Sequence, residues 1–142
     1  MTAVSGLATR PLTTRPLYDS TDSLLRFAMR ADATLTGLMG LVAAFFADPL
    51  SSVTDLSSGQ EYSMGAFFVL YGLAVFSLAA LPNLRRVGIG VVVANIVCTL
   101  AAVVAAEALP MTTTGVAATL ASGAYTAVFA GLQYLGIRRI PA

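Results

Sequence analysis

The sequence predicts an all-α membrane protein, with four transmembrane helices in an antiparallel bundle and both termini on the cytoplasmic side. Composition is the first reason. Of 142 residues, 57% are hydrophobic and 11% charged, with a mean hydropathy of +0.82; soluble domains carry about a quarter charged residues. The second reason is the run Val87 to Ala106, uncharged throughout and bounded by Arg85-Arg86 and Glu107. Its 20 residues, at about 1.5 Å of rise each, span about 30 Å, the thickness of a bilayer's hydrocarbon core. The third is the placement of charge. All eight basic residues are arginines, and a cytoplasmic N-terminus puts Arg10, Arg15, Arg26, Arg30, Arg85, Arg86, Arg138 and Arg139 on that side. The outer loops then hold Asp48, Asp55, Glu61 and Glu107 and no base, a strong positive-inside pattern.

Residues 1–23 read as a disordered cytoplasmic tail. Thr9-Arg10-Pro11-Leu12 is repeated as Thr14-Arg15-Pro16-Leu17, the prolines block a helix, and there is no apolar run to serve as a signal peptide. The membrane domain covers 24–142. Its first helix, about 24–47, starts near the candidate caps Ser20, Asp22 and Ser23, with Asp22, Arg26 and Arg30 at i, i+4 spacing at headgroup level. Asp32, Thr36, Gly40 and Ala44 recur four apart and point to one small, partly polar face.

Pro49 is expected to stop that helix, leaving an acidic loop from Asp48 to Tyr62. The second helix, about 63–81, carries Phe67, Phe68, Tyr71 and Phe76, bulk suited to lipid or to filling a groove. Pro82-Asn83 makes a tight turn, so the second and third helices are expected to be antiparallel neighbours. The third, about 85–106, shows Gly90, Ala94, Cys98, Ala102 and Ala106 in a second four-residue ladder. Pro110 ends it, and Thr112 to Thr114 offer caps for the fourth, about 114–137, with Gly115, Thr119, Gly123, Ala127 and Gly131 in a third ladder. In lipid, such small-residue faces let helices approach closely.

Three polar groups fall within the spans: Asp32, Asn95 and Gln133, all in the cytoplasmic half. An intramembrane carboxylate is a functional suspect by default. Asp32 is also near enough to Arg30 or Arg86 for a structural salt bridge, the expectation favoured here. Asn95 and Gln133 are expected as interhelical hydrogen-bond partners. Tyr18, Tyr62 and Tyr134 read as interface-belt residues, and the deeper Tyr71 and Tyr125 need partners for their hydroxyls. Arg26, Arg30, Arg85, Arg86, Arg138 and Arg139 are the candidate contacts for anionic headgroups.

With no histidine, bis-His haem, a Ser-His-Asp triad and most zinc sites are excluded. The single cysteine, Cys98, reads as a packing residue, and one cysteine forms no internal disulfide. No catalytic residue, cofactor site or metal site is expected, and no nucleic-acid-binding module is visible.

Leu25-Arg26-Phe27-Ala28-Met29-Arg30-Ala31-Asp32-Ala33, Asn95, and Leu132-Gln133-Tyr134-Leu135-Gly136-Ile137-Arg138-Arg139 resemble an uncharacterised family of small four-helix integral membrane proteins of (actino)bacteria. The resemblance covers 24–140 and implies a fold and a plasma-membrane location, multi-pass in the bacterial inner membrane. It implies no activity. The expected function is that of a non-enzymatic scaffold or accessory subunit, associating with itself or with other membrane-protein subunits. The alternative is a small proton-coupled transporter of the multidrug type, with Asp32 as the coupling group, although such proteins carry an embedded glutamate in the first helix, where this chain has an aspartate near the helix entry, and tryptophan around the substrate, which this chain lacks.

Overall fold

The computed structural model describes residues 21–141, so most of the expected N-terminal tail, 1–23, lies outside the described residues. Five helices follow in order: α1 Ser23–Phe45, α2 Ala47–Thr54, α3 Ser58–Leu78, α4 Leu84–Ala108 and α5 Thr113–Arg138. No strand occurs among the described residues. Helices α3, α4 and α5 are each long and apolar enough to cross a membrane. The pair α1 and α2 meets that measure only together, with an 87° bend between them.

Helix α2 was not anticipated in the acidic loop. Pro49 does not end the chain's helical course but sits in the first turn of α2, where its missing N–H costs no intrahelical bond. Asp55 closes α2 in the left-handed region, at φ 67°, a conformation aspartate tolerates better than most residues. α3, the second of the four expected spans, then starts at Ser58 rather than Ser63. Ser57 accepts from the Gln60 amide while the Gln60 side chain accepts from the Ser57 N–H, a reciprocal capping box. At the far end of α4, Leu109 is extended ahead of Pro110, and Thr112 caps α5 by accepting from Gly115 N at 3.0 Å.

Helix α1, not α4, is the close partner of α3; α3 and α4 barely touch despite their short connection. The reason is a set of four glycines. A Cβ on Gly40 would lie 2.6 Å from the Gly65 carbonyl oxygen, and one on Gly72 would lie 2.6 Å from that of Ala33. Gly65 and Gly72 are seven residues apart, so they stay within about 20° of one face, toward Gly37 and Gly40. These contacts run in opposite order along the two helices, and Arg26 of α1 donates to the Ala79 carbonyl, closing the C-terminus of α3.

The second close pair is α4 with α5. Here the expected ladders meet only in part. Ala102 faces Gly123, whose Cβ would stand 3.0 Å from the alanine methyl, but Gly90 and Gly131 have nothing within 4 Å. A strict four-residue step advances about 40° round a helix, so each ladder winds off its face. The buried line of α4 is instead Leu84, Gly88, Val91 and Asn95.

The two pairs join along α1 and α5, where Gly136 lies against the backbone of Leu25. Leu25, Met29, Ala33, Val75, Ala79, Leu84, Val91 and Ile137 form the core, toward the arginine-bearing end. Outward-facing side chains such as Phe27, Leu70, Val97, Leu100 and Val104 remain largely exposed, an apolar exterior suited to lipid.

Candidate functional site

Beyond that core, Asp32, Asn95 and Gln133 meet from α1, α4 and α5. Each is at most 1% exposed. Asp32 falls on the buried face that Met29, Ala33 and Thr36 also occupy. Asn95 continues the Gly88–Val91 line, and Gln133 follows Ala130 on the inward side of α5.

The two carboxylate oxygens of Asp32 meet different partners. Oδ2 accepts from Asn95 Nδ2 at 2.8 Å and from Gln133 Nε2 at 2.9 Å. Oδ1 accepts from Thr36 Oγ1 at 3.1 Å and from Tyr125 OH at 3.2 Å. Asn95 is the hub between them, because its amide also donates to Gln133 Oε1 at 3.0 Å and its own Oδ1 accepts from Tyr71 OH at 3.2 Å. Tyr71 brings in α3, so every long helix contributes. No buried side-chain nitrogen or oxygen among the described residues lacks a partner.

The salt bridge expected for Asp32 is not formed. Among the described residues the ion pair is Arg26–Asp22, at 2.6 Å. Arg30 lies two residues before Asp32, about 200° away round the helix, and its guanidinium sits 6.0 Å from the Phe76 ring centre instead. Asp32 is met by four neutral donors and no cation. A carboxylate has about four acceptor sites, so this donor set fills it.

The two sides also differ in what they can do with a proton. Amide NH2 groups only donate, whereas the hydroxyls of Thr36 and Tyr125 both donate and accept. The two hydroxyls are 3.2 Å apart, and Tyr125 also reaches the Asp32 carbonyl at 3.2 Å. A proton on Asp32 therefore finds acceptors at Oδ1 and none at Oδ2.

Tyr71, Tyr125 and Thr36 belong to the site although the polar residues of the spans pointed first to the other three. Thr36 was legible as i+4 from Asp32. One turn beyond the cluster, Thr99 Oγ1 is 2.8 Å from Thr126 Oγ1, a second polar tie between α4 and α5. At the opposite end Glu61, expected in an open loop, is 3% exposed and accepts from Thr54 Oγ1 at 2.6 Å. Thr54 also accepts the Thr112 N–H at its carbonyl, so α2, α3 and α5 are clasped together there. An open cleft of about 340 Å³ lies beside that clasp, between Phe45, Asp48 and Tyr62, far from Asp32.

Of the candidate headgroup contacts, Arg30, Arg85, Arg86, Arg138 and Arg139 are exposed, whereas Arg26 is engaged internally with Asp22 and Ala79. Tyr62 and Tyr134 are exposed at opposite ends; Tyr18 lies outside the described residues. No known protein family matches the chain, and no curated protein or solved structure matches it.

Proposed function

We propose that this chain is a non-enzymatic integral membrane protein that serves as a scaffold or accessory subunit, self-associating or docking onto a larger membrane complex. Its four spans form an antiparallel bundle with both ends cytoplasmic, α1 and α2 counting as the first, in a bacterial plasma membrane. The kinship with small actinobacterial four-helix membrane proteins belongs to the same proposal. The observation that carries it is the Asp32 carboxylate, enclosed and filled by neutral donors from α1, α4 and α5. Such a network ties helices into one rigid body and leaves the apolar exterior as the surface available to partners.

Purification in mild detergent followed by native mass analysis tests the role: oligomers or a co-purifying subunit are expected, and a strictly monomeric, partnerless particle overturns it. Single cysteines introduced at Ser20 and Ser58 in a Cys98→Ala background test the topology. An impermeant thiol reagent applied to intact cells should label only position 58.

The hydroxyls at Oδ1 favour a second reading, a small proton-coupled transporter with Asp32 as its coupling group. Reconstituted Asp32→Asn protein should then lose flux, and unaltered flux removes Asp32 from any such mechanism.

A further inference from the structure

We propose that the arginine-bearing ends of α4 and α5 together bind a phospholipid carrying two phosphates. Leu84 and Ile137 are buried in one cluster with Ile140 packed on it, and a Cβ on Gly88 would lie 3.3 Å from Ile137 Cγ1. Arg85-Arg86 directly follows Leu84, and Arg138-Arg139 lies between Ile137 and Ile140. Two arginine pairs from two antiparallel neighbours therefore flank one shared contact.

All four side chains are exposed, and none forms an ion pair or side-chain hydrogen bond among the described residues. The described acids nearest in the fold are committed elsewhere: Asp22 pairs with Arg26, and Asp32 is enclosed by its donors. The patch thus carries four positive charges with no acid from the described fold opposed to them. Guanidinium forks match phosphate oxygens in bidentate fashion, so each pair suits one phosphate. A lipid with a single phosphate would leave one pair unanswered.

The ligand is a lipid rather than free phosphate because of what adjoins the patch. Ile89 and Val93 of α4 and Leu132 and Leu135 of α5 are exposed within the next two turns, an apolar flank for acyl chains. The proposal rests on the four-span reading, which sets these arginines at headgroup depth, where each contributes about 1 kcal/mol, or roughly fivefold in affinity.

The full chain is incorporated into phosphatidylcholine nanodiscs doped with cardiolipin or with charge-matched phosphatidylglycerol, and retained lipid is read by native mass spectrometry. Cardiolipin should be retained over phosphatidylglycerol. Replacing either pair, R85Q/R86Q or R138Q/R139Q, should lower that retention about 30-fold, with melting unchanged. Arg30→Gln removes a charge at the same end of the protein but beside Phe76, and should leave retention as it was. Equal retention of the two lipids, loss confined to one pair, or an Arg30→Gln effect equal to that of Arg138→Gln would overturn the site. A chain that fails to enter nanodiscs at all overturns the four-span reading instead.

Discussion

The asymmetry of the Asp32 site makes a sharp distinction between two substitutions of similar size. In Asp32→Asn, the remaining oxygen can take the place of Oδ2 and go on accepting from Asn95 and Gln133. The new NH2 then occupies the place of Oδ1, facing Thr36 and Tyr125, whose hydroxyls turn from donating to accepting. Tyr125 already has the Asp32 carbonyl within 3.2 Å as an alternative acceptor for its proton. All partners stay satisfied, so the cost should be below about 1 kcal/mol. Asp32→Leu offers no such rearrangement. The hydroxyls can rotate away, but the amides of Asn95 and Gln133 are fixed and each loses an acceptor in a buried site. At about 1–3 kcal/mol for each of the two stranded donors, the loss should be about 2–6 kcal/mol. Thermal unfolding in detergent reads the difference. At roughly 3 °C per kcal/mol for a chain of this size, Asp32→Leu should melt about 10 °C lower and Asp32→Asn within about 3 °C of the parent. Equal, large losses in both variants would refute the reversal of the hydroxyls and make the carboxylate charge itself the stabilising element.

Three further outcomes follow from the packing. Gly72→Val should force α1 and α3 apart and cost at least the 1–3 kcal/mol or so typical of overpacking, whereas Gly90→Ala, with open space around it, should cost nothing in the same melting assay. Gly123→Leu should likewise lose about 1–3 kcal/mol against Ala102, while Val128→Leu, on a side chain 60% exposed, should melt like the parent. Thr54→Val removes the donor to Glu61 and should speed hydrogen exchange across α2 and the start of α3 while sparing the Asp32 end; uniform exchange would mean that the clasp does not hold α2.

The helical and membrane character was legible because charge, proline and apolar length all mark the same boundaries. Where the reading failed, the signals were present but ambiguous. Pro49 suits a helix stop, yet the same missing N–H suits a first turn, and Ser57-x-x-Gln60 marks the start of α3. A four-residue ladder looked like a face, although only mixed three- and four-residue spacing holds one, as Leu84, Gly88, Val91 and Asn95 do. A short connection between α3 and α4 points to neighbours, but the Gly65–Gly72 spacing directs α3 to α1. Asp32, Asn95 and Gln133 could be singled out as polar residues in apolar runs. Their convergence, and the choice of neutral donors over an arginine, depended on helix rotation and on which pairs pack, and no single span reveals that.

The way α1 depends on its distant partners has a consequence for biosynthesis. Asp32 leaves the ribosome 63 residues ahead of Asn95 and 101 ahead of Gln133. Tyr125, 93 residues behind it, arrives almost as late. Of the donors to its carboxylate, only Thr36 is made with it. For most of translation α1 must therefore hold a carboxylate at the membrane with one of its four donors, and inserting an aspartate in a lone helix costs up to about 2.5–3.5 kcal/mol, the figure for the helix centre. The first helix is thus the last to be secured, and the final helix completes it. Nascent chains released before Ser58, which hold α1 and Thr36 but neither the later spans nor the later donors, should be extractable by alkaline carbonate in pulse-chase experiments, while full-length chains resist. Firm retention of α1 in the shorter chains would show that it needs none of its late-made donors.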